Sequence, residues 1–220
     1  MYLGEHAHSY DQSRRIAHHE AGHLVVAWIE GFQLQGLKIH TVHMNINGAA
    51  AMCFACKVTD PADYIRRRVR VLLAGSIAQS VALSKDATPD TEAVMAAFNP
   101  KGDSYGDYQK ALELVWLLRN LTAEDDSDPR SQVQALIHDL LNETTAIVKR
   151  EVRPIRRLGE AARRIFDDID PNAPYETRNE AVLEAEDVMA LIHGQAKPHE
   201  VADKYIAAAK AQRLAAPDEP

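Results

Sequence analysis

One pentapeptide constrains this chain more than any other stretch. His19-Glu20-Ala21-Gly22-His23 has the form H-E-x-x-H, and it lies in a run from Ile16 to Ile29 that holds no proline and no glycine but Gly22. Residues four apart share one face of an α-helix, so both imidazoles can converge on one ion. The carboxylate beside the first of them, Glu20, can reach water at that ion. With 10 histidines in 220 residues, chance supplies this pattern about 0.03 times per chain. Coincidence, an amphipathic helix with two surface histidines, is therefore the weaker explanation.

The neighbours favour a metal. Leu24-Val25-Val26-Ala27-Trp28-Ile29 is apolar on most faces and marks a buried helix. Histidines buried among such residues cost free energy unless each finds a partner, and a zinc ion is such a partner. Ser13 is placed to cap this helix and Gly31 to end it, giving a helix over 13–30. Gly22 costs ~1 kcal/mol in helix propensity relative to Ala, which a close packing contact there would offset. A catalytic zinc site takes three protein ligands. The extended pattern H-E-x-x-H-x-x-G-x-x-H is excluded, because Val26 and Ile29 occupy its remaining positions. A distant residue must complete the set, and spacing leaves Asp60, Asp63, Asp86, Asp90, Glu92, Asp103, Asp107 and Glu113 all open.

Three separated blocks narrow that choice. Ala17-His18-His19-Glu20-Ala21-Gly22-His23-Leu24-Val25-Val26 resembles the Ala-Tyr-His-Glu-Ala-Gly-His helix in the peptidase domain of FtsH, the membrane-bound ATP-dependent zinc protease. Leu72-Leu73-Ala74-Gly75-Ser76-Ile77-Ala78-Gln79 is similar to that family's Leu-Ala-Gly-Arg-Ala-Ala-Glu helix, and Gly106 to Glu113 to its Asn-Asp-Leu-x-x-Ala-Thr-x segment. The blocks keep the family's order and span most of residues 13–120; 148–158 and 186–188 are only loosely similar. The resemblance implies Zn2+ held by His19, His23 and Asp107, with Glu20 as general base in peptide-bond hydrolysis. It also makes a ring-shaped homo-oligomer conceivable.

The departures matter. Ser76 and Gln79 stand where the family has Arg and Glu, which removes a charge pair and makes a hexamer less expected. The stretch from Ser84 to Ser104, with Pro89, Pro100 and Gly102, is longer than usual and reads as an extra loop before Asp107. No G-x-x-x-x-G-K-[ST] motif is present, no apolar run reaches the ~18 residues that cross a bilayer, and no signal peptide opens the chain. The expectation is a cytoplasmic peptidase domain without motor or anchor, acting independently of ATP on flexible polypeptides or on chains delivered by an ATPase in trans. Two alternatives are a regulatory protease with a single target and a non-catalytic adaptor.

Composition adds exclusions. The net charge of −7 argues against nucleic-acid binding through phosphates. Arg66-Arg67-Arg68 with Arg70 is the one dense basic run, read as a solvated face opposite Ile65, Val69, Leu72 and Leu73. Cys53 and Cys56 read as two small buried residues on a strand, since residues three apart there face opposite ways. His6 and His8 read as surface residues, whereas His40 and His43 fit a cleft or a half-exposed strand equally.

The layout is mainly α, a helical zinc-peptidase domain built around the H-E-x-x-H helix with a small β-hairpin beside it. Residues 1–12 are expected to be a flexible segment, 13–213 a single domain and 214–220 a disordered tail. Further helices are predicted over 62–84, 104–120, 130–166, 179–193 and 199–213, with Pro154 kinking or breaking the longest and a loop from Asp167 to Arg178. Strands are predicted over 37–43 and 51–58, joined by an Asn45-Ile46-Asn47-Gly48 turn. An edge strand beside the motif helix is a place where substrate can lie extended.

Overall fold

The computed structural model describes residues 3–42, 45–54, 58–123, 128–168 and 181–215, with side chains described for all of these except 3–11, 41–42, 45–46 and 212–215. The elements in chain order are α1 (Leu3–Ile29), β1 (Gln33–Val42), β2 (Asn45–Cys53), α2 (Pro61–Leu83), α3 (Thr91–Ala97), α4 (Tyr105–Thr122), α5 (Pro129–Arg150), α6 (Val152–Asp168), β3 (Ala181–Glu184), α7 (Ala185–His193) and α8 (Pro198–Ala215). The fold is thus mainly helical, with one small antiparallel sheet ordered β2-β1-β3. No described helix is long and apolar enough to cross a membrane.

Helix α1 is the central post, flanked by α2 and α6. Its Ala17, Ala21, Leu24, Val25, Val26 and Ala27 are wholly buried, as an all-round apolar helix requires. The α1–α2 crossing is close because Gly22 has no side chain. A Cβ there would collide with the Ala78 Cβ and lie 2.9 Å from the Ala74 carbonyl oxygen. Helix α2 starts where Asp60 accepts from the amides of Ala62 (2.9 Å) and Asp63 (3.1 Å), with Pro61 at its first position.

Several expectations shift. Helix α1 begins at Leu3, so Ser13 is no cap. It is buried inside the helix and its hydroxyl donates to Asp167 at 3.0 Å. The side chains of His6 and His8 lie outside the described residues. Asn47 and Gly48 lie inside β2, opposite His40 and Ile39, so the predicted turn is not there; His43 lies outside the described residues. Strand β2 ends at Cys53, so the opposite-face argument for the cysteines lapses; Cys56 lies outside the described residues. The predicted helix 130–166 is two, broken at Glu151 (φ −99°, ψ 19°). Pro154 cannot donate to the Arg150 carbonyl and would crowd it. The chain therefore turns three residues earlier, leaving Pro154 in the first turn of α6.

Within the predicted helix 179–193, Ala181–Glu184 forms β3, which pairs with β1 from Gly36 to Ile39. The stretch 84–104 contains α3, capped by Asp90, rather than loop alone. Asp167 and Asp168, expected in a loop, close α6, and α8 runs to Ala215, inside the expected tail; the rest of both segments, in 169–180 and 216–220, lies outside the described residues.

The basic run also differs from a solvated face. Arg70 grips Glu30 through two hydrogen bonds (2.7 and 2.8 Å) and reaches Glu143 at 2.9 Å. Arg67 pairs with Asp63 at 3.0 Å and donates to the Glu30 carbonyl at 3.0 Å. Glu30 is buried, so this network ties the end of α1 to α2 and α5.

Candidate metal centre

The helical turn of α1 does what its spacing dictates: the Nε2 atoms of His19 and His23 face each other at 2.9 Å, rings edge to face. Both rings are buried. His23 donates from Nδ1 to the Val71 carbonyl of α2 at 2.7 Å. A carbonyl can only accept, so this bond assigns the Nδ1 proton and turns Nε2 toward the centre, as ligating histidines are usually held.

The third group comes from α4. Asp107, in its first turn, places Oδ2 3.3 Å from His23 Nε2 and 3.5 Å from His19 Nε2. Among the described residues these three form the one cluster of histidine, cysteine or carboxylate groups compact enough to hold an ion. An ion with bonds of about 2.0–2.1 Å in tetrahedral array separates its ligands by about 3.3 Å. The three observed separations bracket that value, and two imidazoles with one carboxylate are a donor set suited to zinc.

The other open candidates do not reach the centre. Asp60 and Asp90 cap helices, and Asp63 pairs with Arg67. Asp86 accepts from Ser84 and Thr88 in a turn. Asp103 meets Arg15 at 3.4 Å, while Glu92 and Glu113 are exposed. His40 is half-buried on β1.

Two glycines make the space. A Cβ on Gly75 of α2 would lie 2.5 Å from His19 Nε2 and 2.6 Å from His23 Nε2. Both Nε2 atoms therefore rest against bare backbone. A Cβ on Gly48 of β2 would strike Glu20, closing on its Cγ and standing 2.6 Å from its Oε1. Sequence reasoning missed both roles. Gly75 was visible within the second block, but what it clears becomes legible only once α1 is laid against α2.

Electrostatics bind the cluster. Burial pulls His23 down, yet the Asp107 hydrogen bond, the charges of Glu20 and Asp107 and the Val71 carbonyl raise it to about 8. Burial pushes Asp107 up, and the hydrogen bonds and charges of both histidines outweigh this, holding it far below the usual carboxylate range. The cluster sets an anionic Asp107 against a His23 that holds its proton more tightly than usual, an arrangement a cation displaces with proton release.

Glu20 faces two cavities that flank the centre. One, of about 440 Å³, runs past Asn47, Arg15 and Asp103. The other, of about 320 Å³, runs past Ala50, Met52, Phe54 and Arg68. Strand β2 borders both and is an edge of its sheet, paired only to β1 among the described residues. Ahead of α4, Phe98 stacks on Tyr108 (centroids 4.6 Å apart, planes 14°), which fixes the turn that carries Asp107.

No protein-family model matches this chain, and no curated protein matches it.

Proposed function

We propose that this protein is a zinc-dependent endopeptidase that works without ATP on flexible or partner-delivered polypeptides. The observation that carries the reading is the convergence of His19, His23 and Asp107 around a glycine-cleared space, with Glu20 facing the adjoining cavities. The similarity of three blocks of sequence to the FtsH peptidase domain supports it. His19, His23 and Asp107 would hold the ion. When bound, zinc acidifies water and polarises a carbonyl.

The chain's own residues supply the rest. The Glu20 carboxylate takes the proton of the attacking water and passes it to the leaving amine. Glu20 is buried and lines both cavities, which puts its carboxylate beside the centre. The Val71 carbonyl fixes the tautomer of His23. The outer edge of β2 offers backbone donors and acceptors to an extended peptide, which would then cross the centre from one cavity to the other. Ser76 is buried and Gln79 turns its amide oxygen to Arg15 (2.8 and 3.0 Å). Neither position presents a charge for subunit packing, so partners such as an ATPase in trans or a ring of copies would use other surfaces.

The test is metal content and cleavage together. Wild type purified without added zinc should carry about one zinc per chain and cut an unfolded protein such as casein. Asp107→Ala should lose or weaken the metal. Glu20→Gln should keep it and lose cleavage by at least about 100-fold. Full zinc retention by Asp107→Ala would refute the ligand set, and cleavage by Glu20→Gln would refute the assignment of the base.

A further inference from the structure

The two cavities beside the centre differ in charge. In the larger one Arg15 is answered by Asp103 at 3.4 Å and by the Gln79 amide. In the smaller one two cations, Arg68 and Lys110, line the wall, and its two carboxylates, Glu20 and Asp107, both belong to the centre itself. Among the described residues no carboxylate pairs with Arg68; Lys110 has only Asp107, at 3.8 Å.

Arg68 is nonetheless held in place. Its guanidinium carbon sits 3.3 Å from the centroid of the Phe54 ring. Phe54 packs edge to face on Phe32 (5.0 Å), Phe32 packs likewise on Tyr64 (6.0 Å), and the Tyr64 hydroxyl donates to the Phe54 carbonyl at 3.3 Å. A stacked guanidinium keeps its in-plane donors free for a carboxylate. Burial pulls Arg68 below the usual arginine value, whereas Arg70, bonded to Glu30 and Glu143, is raised. Two residues apart on one helix, one arginine has its counter-charge and the other lacks it. The chain as a whole is acidic, with a net charge of −7, so a local cationic pocket beside the centre runs against the overall field.

We propose that this smaller cavity is a specificity subsite for an acidic side chain of the peptide, a Glu or Asp near the scissile bond whose carboxylate is bound by Arg68 and assisted by Lys110. The proposal rests on the endopeptidase reading and deepens it by naming a substrate class. Met52, Ala50 and Leu72 line the same cavity and suit the aliphatic stem of such a residue. Because β2 passes both cavities, the preference falls on one side of the cut bond only.

The experiment gives the zinc-loaded full chain a library of unstructured decapeptides and reads the cut sites by mass spectrometry. A matched peptide pair, Glu against Gln at the favoured position, then gives the ratio of kcat/KM. The Glu peptide should win by about tenfold, the scale of one charge-assisted pair. The ratio should fall to about one in Arg68→Ala and turn toward Lys in Arg68→Glu, with a smaller fall in Lys110→Ala. Cleavage without an acidic preference, or a preference that survives both Arg68→Ala and Lys110→Ala, overturns the subsite and leaves the peptidase standing. Absence of any cleavage overturns the peptidase reading instead. Binding of the same fluorescent pair to Glu20→Gln protein, by anisotropy, then decides the subsite without turnover. Tighter binding of the Glu peptide, lost in Arg68→Glu, supports it, and equal binding overturns it.

Discussion

The two walls of the centre are built on different terms. On the α1–α2 side, two histidines project from one turn of a buried helix, and the facing helix approaches so closely that Gly22 and Gly75 leave no room for a methyl group. On the β2–α4 side, Asp107 is a quarter exposed and stands between cavities, and Gly48 sits under Glu20 on the edge strand of the described sheet. The first wall is core packing that also presents two nitrogens. The second is a rim, where Glu20, the base in the proposed reaction, borders both cavities beside the edge of β2. On the proposed reading, rigidity resides where an ion would be held, and openness where a peptide would enter.

That contrast can be broken from the rigid side first. Gly75→Ala should have the largest effect, costing about 2–3 kcal/mol of stability by overpacking the seam and expelling both histidine nitrogens from position. Zinc content and the melting temperature should fall together, and a variant that melted normally with full zinc would refute the cradle. Gly48→Ala acts on the rim and should be milder. The protein should fold and keep its metal, while displacement of Glu20 lowers kcat by at least about tenfold. Loss of zinc in Gly48→Ala would show that the walls are not separable.

A smaller effect separates the walls by pH. With His23 raised from 6.5 to about 8, its protonated form stabilises the metal-free fold fully below pH 6.5. That contribution is lost as pH climbs through about 8. Chelator-treated protein should therefore melt lower at pH 9 than at pH 6. Zinc-loaded protein should show the opposite trend over the same interval, because loading releases a proton. Identical melting of the metal-free form at both values would remove the coupling.

The part of the site read from sequence was the part carried by local spacing. His19 and His23 lie one helical turn apart, and that relation survives in any context. Asp107 lies 84 residues beyond His23 in number, and eight acidic residues met the spacing argument equally; only the packing of α4 on α2 separates them. The same division runs through the fold. Asp60 and Pro61 announced α2 locally. Strand β3 was hidden, because Ala181 to Glu184 leads into Ala185 without a turn residue and its strand state depends on pairing with β1, more than 140 positions away. Asn47-Gly48 carried a turn signal that the pairing of β1 with β2 overrode, and Gly48 serves Glu20 instead. Where Pro154 stands, the local rule located a break within three residues but not the residue that absorbs it.

Strand β2 has one more property. Sheets commonly guard an edge with lysine, proline or an inward-turned charge, and Asn45 to Cys53 has none of these, with Ala49-Ala50-Ala51 near its middle. An unguarded edge does not distinguish a foreign peptide from the exposed edge of another copy of itself. Crowding should therefore silence this protein: specific activity should drop as its concentration rises and return on dilution, in step with light scattering.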